Sequence, residues 1–256
     1  MAEGDSILRI ARRLNETLAG QQLSVRAPGQ RRPAGLVLAH LDGRMLESVE
    51  SRGKHLLLHF EDDLVLHSHL GMRGSWHIYR DGERWRRPAR EAWIALAGNG
   101  SEAVNFGGST MTIATEPQMR RNPKLARLGP DILAEDFEPA VAVARMRGTN
   151  PEIALGEALL GQRLVAGIGN IFKSEGCFEA GIDPTAPLGS LDDAQLAGVL
   201  EATRRLMLEA VESGRQPKRI YRRSGQPCPR CGAQLRSRAQ GDSARTTYWC
   251  AGCQAR

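Results

Sequence analysis

The sequence predicts an α+β protein in three parts: a helix with a run of short strands, a helical region, and a small cysteine-bounded module. Three observations predict it. Short β-type runs punctuated by Gly, Asp and Asn fill the first half. A glycine-broken helical stretch runs from Leu159 to Glu175. Four of the five cysteines stand near the end as Cys228-Pro-Arg-Cys231 and Cys250-Ala-Gly-Cys253, with eighteen residues between the pairs.

Residues 3–19 read as an amphipathic helix. Ile7, Ile10, Ala11, Leu14 and Leu18 repeat at helical spacing, and Gly20 stops it. Asp5 or Ser6 can cap its start. Strand signals follow at 36–39, 55–60, 64–67, 75–79, 91–96 and 110–113, at the spacing of a sandwich or barrel. Residues 138–150 lead into a helical region spanning about 151–213. The basic hinge Arg215-Gln-Pro-Lys-Arg219 precedes the cysteines.

Two CxxC knuckles at this separation read as a tetrahedral four-cysteine zinc site. A pair of disulfides or a redox CxxC also uses paired cysteines, but the ribbon spacing favours the metal. Positive charge gathers in the same place. Residues 211–256 hold ten Lys/Arg against two Asp/Glu, a net of +8, while the whole chain carries +6. Clustered positive charge on a small metal-folded module is the electrostatic footprint of a nucleic-acid binder. A solvated basic tail is the plainer alternative.

The stretch Gly167-Ile-Gly169-Asn170 breaks one helix before the next begins. A glycine-rich turn opening onto a helix N-terminus offers N–H groups to a phosphate. Asn170 can cap that helix or bond the phosphate itself. An ordinary helical hairpin, with glycines serving close packing, fits the same residues.

At 256 residues with 41% hydrophobic content, the chain can bury two cores and still carry the small module. No apolar run reaches membrane-spanning length. The N-terminus lacks the order of a signal peptide. With four thiols assigned to zinc, only Cys177 is left over, which suits a reducing cytosol. His67 and His69 alternate on a strand and read as structural.

Together these residues resemble the formamidopyrimidine-DNA glycosylase / endonuclease VIII family of base-excision repair enzymes over nearly the whole chain. The resemblance rests on Ala2-Glu3-Gly4-Asp5, Arg52-Gly-Lys54-His-Leu-Leu-Leu58 and His69-Leu-Gly-Met-Arg-Gly-Ser-Trp76. It continues through Leu128-Gly-Pro-Asp-Ile-Leu133, Gly167-Ile-Gly-Asn170 and Arg245-Thr-Thr-Tyr-Trp-Cys250. It implies an N-terminal helix and β-sandwich catalytic domain at 1–136. A helix–two-turn–helix DNA-binding domain at 137–215 and a four-cysteine zinc finger at 216–256 follow. It also implies a monomer that binds damaged double-stranded DNA in a cleft. One structural Zn2+ on Cys228, Cys231, Cys250 and Cys253, no small-molecule cofactor and a bacterial cytoplasmic location complete the expectation.

The implied nucleophile is the amine exposed on Ala2 after Met1 is removed. It attacks C1′ of a flipped-out nucleotide, the base leaves, and elimination from the Schiff base cuts the strand. An α-amine, with pKa about 7.7–8.0, is partly neutral at neutral pH. By the same resemblance Glu3 is the acid/base that opens the sugar ring, although a carboxylate in a first helical turn is favoured anyway. Lys54 holds a phosphate near the lesion. Asn170 and Arg245 clamp phosphates on either side, and Met72 is the apolar wedge in the vacated stack. A core methionine is the plainer reading of Met72.

Two departures stand out. The family's usual N-terminal proline is replaced by Ala2, whose primary amine gives an imine that must stay protonated to drive elimination. That leaves open a DNA-damage binder with little or no catalysis. Residues 105–125 also lack the Arg-Phe pair of the purine-repair branch, and Glu116–Pro123 looks more like the endonuclease VIII branch. The branch analogy points to oxidised pyrimidines and abasic sites.

Overall fold

The computed structural model describes residues 2–29, 32–241 and 244–254, and Met1 lies outside them. The chain divides into two compact units, Met1–Ala126 and Arg127–Arg256.

The first unit opens on helix α1 (Gly4–Leu18), which buries Ile7, Ala11, Leu14 and Leu18. Neither Asp5 nor Ser6 caps it. Glu3 takes the N-cap position, with no side-chain capping bond. The strands β1 (Gln21–Gln22), β2 (Ser24–Arg26), β3 (Met45–Arg52), β4 (His55–Phe60) and β5 (Leu64–His69) follow. Then come β6 (Ser75–Arg80), β7 (Ile94–Gly98), β8 (Ser101–Phe106) and β9 (Thr110–Thr115). They form a five-stranded sheet, β1-β3-β4-β5-β9, and a four-stranded sheet, β2-β7-β8-β6, both antiparallel. Leu46, Leu56, Leu58 and Leu66 of the larger sheet share one core with Ile94, Leu96 and Ala103 of the smaller sheet and with the apolar face of α1. This is a β-sandwich carrying a helix. Asn15 locks α1 to β3, donating from Nδ2 to Val49 O at 2.6 Å and accepting from Val49 N at 2.7 Å.

Turn chemistry sets the hairpins. Asp62 and Asp63 both take positive φ between β4 and β5, as do Asn99 and Gly100 between β7 and β8. The Asn99-Gly100 pair forms a two-residue loop whose left-handed residues match the strand twist, whereas the β4–β5 loop has three residues, Glu61 to Asp63. The predicted strand at 36–39 is absent. Leu38–His40 is a short 3-10 turn instead, one that leaves Val37 49% exposed. Four strands lie outside the sequence expectation: β1 and β2, which are only two and three residues long, and β3 and β8. In β3 a register shift between Leu46 and Ser48 breaks the period-two pattern. In β8 only the last four residues are buried. Short helices α2 (Glu116–Arg120) and α3 (Pro123–Ala126) close the unit.

The second unit is helical and begins earlier than expected, with α4 (Pro139–Arg147), then α5 (Leu155–Leu160), α6 (Asn170–Ala180) and α7 (Asp193–Ser213). Asp192 and Gln195 form a capping box on α7. Gly176 is required where α6 meets α7: a Cβ there lies 2.0 Å from Thr203 Oγ1. The hairpin β10 (Arg236–Gln240) and β11 (Arg245–Trp249) lies between the two cysteine knuckles. Among the described residues no helix is long and apolar enough to cross a membrane.

Candidate functional site

In the first unit, the chain start enters α1 through a half-buried Ala2, which packs on the core, and a Glu3 with no exposed surface. A buried carboxylate is costly unless its oxygens are satisfied. Its location is not explained by capping, since the side chain makes no cap bond. Asp5, two residues further, is equally buried.

Lys54 sits in the two-residue turn joining β3 to β4, where Arg52 pairs with His55. Gly53 takes φ 59°, so the hairpin can close with Lys54 at its tip. Three histidines gather beside that tip. His55 Nδ1 lies 2.8 Å from His67 Nε2, and the His55 ring centroid lies 4.7 Å from that of His69. Burial, then the His67 and His69 charges, push His55 down to about 3. Burial, then the His69 charge, pushes His67 down to about 4. Burial and the Lys54 charge also lower His69. All three imidazoles are neutral at neutral pH. The sequence reading placed His67 and His69 on one strand face; the partner His55 on β4 completes the cluster through strand register.

Met72 rides on the turn between β5 and β6 and is 60% exposed, so it is not a core methionine. Gly71 N–H donates to His69 Nδ1 at 3.2 Å, and Gly74 N–H donates to Leu70 O at 3.0 Å. Gly74 is required here: a Cβ lies 2.5 Å from Leu70 O and 2.7 Å from Gly107 O.

In the second unit, Gly167 takes φ 99° and Gly169 stands at the N-cap of α6, with no side-chain cap. Asn170 therefore does not cap the helix; it is its first residue. Its Nδ2 donates to Thr246 O at 2.9 Å, while Oδ1 is buried with no partner among the described residues. Lys173 Nζ donates to Thr247 Oγ1 at 2.7 Å, and Tyr248 N–H reaches Ser174 Oγ at 3.4 Å. The first turns of α6 are thus fastened along β11, the strand that Arg245 heads. Asn170 and Arg245 stand one residue apart across that seam. Glu175, fully buried, accepts from the N–H groups of Ile220 and Tyr221, each at 2.9 Å, and so ties the basic hinge to α6.

The four cysteines converge. Their Sγ atoms lie within 4.8 Å of one another, with Cys228–Cys253 at 3.8 Å and Cys231–Cys250 at 3.5 Å. Ligands about 2.3 Å from a tetrahedral zinc stand about 3.8 Å apart, so the donor set fits that ion. Arg230, between the first pair, packs 4.3 Å over the Phe178 ring and donates to Phe178 O and Glu179 Oε2 at 2.6 and 2.7 Å. The knuckle is thereby anchored on α6.

These features recur in known proteins. The formamidopyrimidine-DNA glycosylase N-terminal domain profile matches residues 1–109, and the H2TH domain profile of the same enzymes matches residues 128–221. A probable endonuclease 8 2 of Streptomyces coelicolor is 39% identical, with 100% of this chain and 94% of that protein covered. The DNA-(apurinic or apyrimidinic site) lyase Nei2 of Mycolicibacterium smegmatis is 34% identical over 99% of each chain. The crystal structure of MutM (Fpg) from Thermus thermophilus superposes with a TM-score of 0.82, at 30% identity, over 99% of this chain and 98% of that one. Helix-bearing β-sandwich, helical second unit, cysteine cluster and matched sequence agree: the chain belongs to the formamidopyrimidine-DNA glycosylase / endonuclease VIII family of DNA repair enzymes.

Proposed function

We propose that this chain is a bifunctional DNA glycosylase and abasic-site lyase acting on oxidised pyrimidines and abasic sites in duplex DNA. The observation that carries the reading is the head of α1. Ala2 stands beside a fully buried Glu3 that makes no capping bond. With Met1 removed, the Ala2 amine is the nucleophile. Glu3 delivers a proton to the sugar ring oxygen as the amine nitrogen bonds to C1′ and the damaged base departs. Loss of the ring C–O bond leaves a Schiff base, whose protonated form acidifies C2′–H; as that proton passes to water, its bonding electrons form the C2′–C3′ double bond and the 3′ phosphate leaves.

The remaining residues grip and deform the strand. Lys54 at a hairpin tip neutralises a phosphate. Asn170, whose Nδ2 carries a second N–H beyond the one given to Thr246 O, and Arg245, on the strand fastened to the same helix, hold phosphates in the second unit. Exposed Met72 fills the gap left by the flipped nucleotide. One zinc ion on Cys228, Cys231, Cys250 and Cys253 supplies folding energy and takes no part in the chemistry. Four zinc-bound thiolates fit the reducing cytoplasm.

A second reading, damage binding without catalysis, is favoured by Ala2 standing where the family usually has proline. Borohydride reduction during incubation with an abasic-site duplex separates the two. A covalent protein–DNA adduct is expected; tight binding with no adduct supports the binder.

A further inference from the structure

The segment between β6 and β7 is basic and aromatic, Arg84-Trp-Arg-Arg-Pro-Ala-Arg90, and has no part in the chemistry above. It is not loosely held. Trp85 stacks at 6.3 Å on Tyr79 and meets Phe106 edge-on at 5.7 Å. Its Nε1 donates to Glu102 Oε2 at 2.9 Å, and Arg86 N–H donates to Tyr79 Oη at 3.1 Å. Tyr79, Ala92, Ala95, Val104 and Phe106 form a second small core against which Trp85 packs.

From this anchored segment one side chain reaches the wedge turn. Arg87 Nη1 donates to Arg73 O at 3.3 Å, Ser75 Oγ at 3.1 Å and Phe106 O at 3.2 Å. Nε and Nη2 donate to Glu91 Oε2 at 3.0 and 2.7 Å, which fixes the plane of the guanidinium. The guanidinium carbon lies 5.3 Å from the Phe106 ring centre. The carbonyl it holds belongs to the residue after Met72. The opposite leg of the same turn is held separately: Ser109 Oγ lies 2.7 Å from His69 Nδ1 and 3.2 Å from His69 O. Both legs of the Leu70–Gly74 turn are therefore tied down, while Met72 itself projects into solvent.

We propose that Arg87 is a positioning residue for the Met72 wedge. It holds the outgoing leg of the turn so that the side chain enters the base stack already oriented, instead of being ordered at each encounter. This inference rests on the wedge reading of Met72. A planar fork with five donors suits the task; lysine keeps the charge but cannot bridge Arg73, Ser75, Phe106 and Glu91 together.

The test uses the full zinc-loaded chain and a duplex carrying one oxidised pyrimidine, with 2-aminopurine as the neighbouring base to report unstacking. The unaltered protein raises the fluorescence on binding. Met72→Ala, Arg87→Ala and Arg87→Lys are each expected to lose most of that rise and to slow base release about tenfold. Adding Arg87→Ala to Met72→Ala is expected to cost little more, because both act through one side chain. Cutting of a preformed abasic site in single-stranded DNA, which has no stack to fill, is expected to be unchanged in Arg87→Ala and Arg87→Lys. Wild-type fluorescence and rate in Arg87→Lys, with Met72→Ala impaired, overturn the positioning role alone. Equal loss on the single strand overturns it too, since that is the signature of a merely structural arginine. A silent Met72→Ala removes the wedge reading and this inference with it.

Discussion

Glu3 is a carboxylate with no exposed surface at the N-cap of a helix to which its side chain gives no capping bond. Burying a carboxylate is costly unless its oxygens are satisfied, and an apolar or capping residue serves stability there without that requirement. Ring opening on an intact nucleotide needs a proton donor, whereas an abasic aldehyde condenses with an amine without one. Glu3→Gln is therefore expected to lower release of a damaged base by at least about a hundredfold, the ordinary contribution of a general acid. It should leave much of the cutting at a preformed abasic site. Equal loss on both substrates, in a quantitative cleavage assay, contradicts this division of labour. At this scale the sequence was legible where chemistry is tied to residue type and spacing. The CxxC pairs specify a tetrahedral thiolate set, and Ala2-Glu3 and Lys54 sit in recognisable local strings. The histidine cluster was not legible, because His55 and His67 meet only through the β4–β5 register, where His55 faces His69 and Leu57 faces His67.

At the scale of elements, that register has a measurable consequence. In an unfolded chain histidine protonates near 6.5. In the fold His67 waits until about 4 and His55 until about 3. Between those values the unfolded state binds more protons, so stability is full above about pH 6.5 and is lost as pH falls toward about 3. Lys54 and Lys124 face the cluster and add to the shift. His59, bonded to Glu50 and close to Glu116, is raised instead and opposes the trend, its stabilisation being lost as pH rises through its folded value. The two large downward shifts outweigh it. The urea midpoint of the chain is expected to fall on acidification from about pH 7 to about pH 5, and to fall less in a His55→Phe/His67→Leu variant. An unchanged slope in that variant contradicts the account. Elements with clean periodicity, such as α1 and β4, were readable in advance. The β3 strand was hidden by its bulge, and the 36–39 run misled because an apolar tetrapeptide carries no sheet partner in its own sequence.

At the scale of the molecule, the chain is two units with different sources of stability. The first is a sandwich around one large apolar core, whereas among the described residues the cysteine cluster of the second gathers five buried apolar residues, Phe178, Ile220, Cys228, Leu235 and Cys250, with Tyr248 and Cys253 packed against them. A cluster so small depends on its metal. Zinc removal by a chelator is expected to abolish binding to abasic-site DNA, while near-ultraviolet dichroism from Trp76, Trp85 and Trp93 of the first unit persists. Retained binding in metal-free protein contradicts the clamp assigned to Arg245. The order of parts was legible because each has its own sequence signature, helical period, strand spacing and cysteine pairs. The onset of helix at Pro139 was less so, because α4 is a short, weakly amphipathic segment.

The central claim is that the amine of Ala2 does the chemistry, alanine serving where the family usually has proline. Borohydride trapping on an abasic-site duplex tests it most directly, run in parallel on protein with a free Ala2 amine and on protein with that amine blocked by acetylation or retained Met1, as verified by intact mass. The account predicts a covalent adduct with the free amine and none with the blocked one. An adduct of equal yield from the blocked protein contradicts it and moves the nucleophile to a lysine such as Lys54.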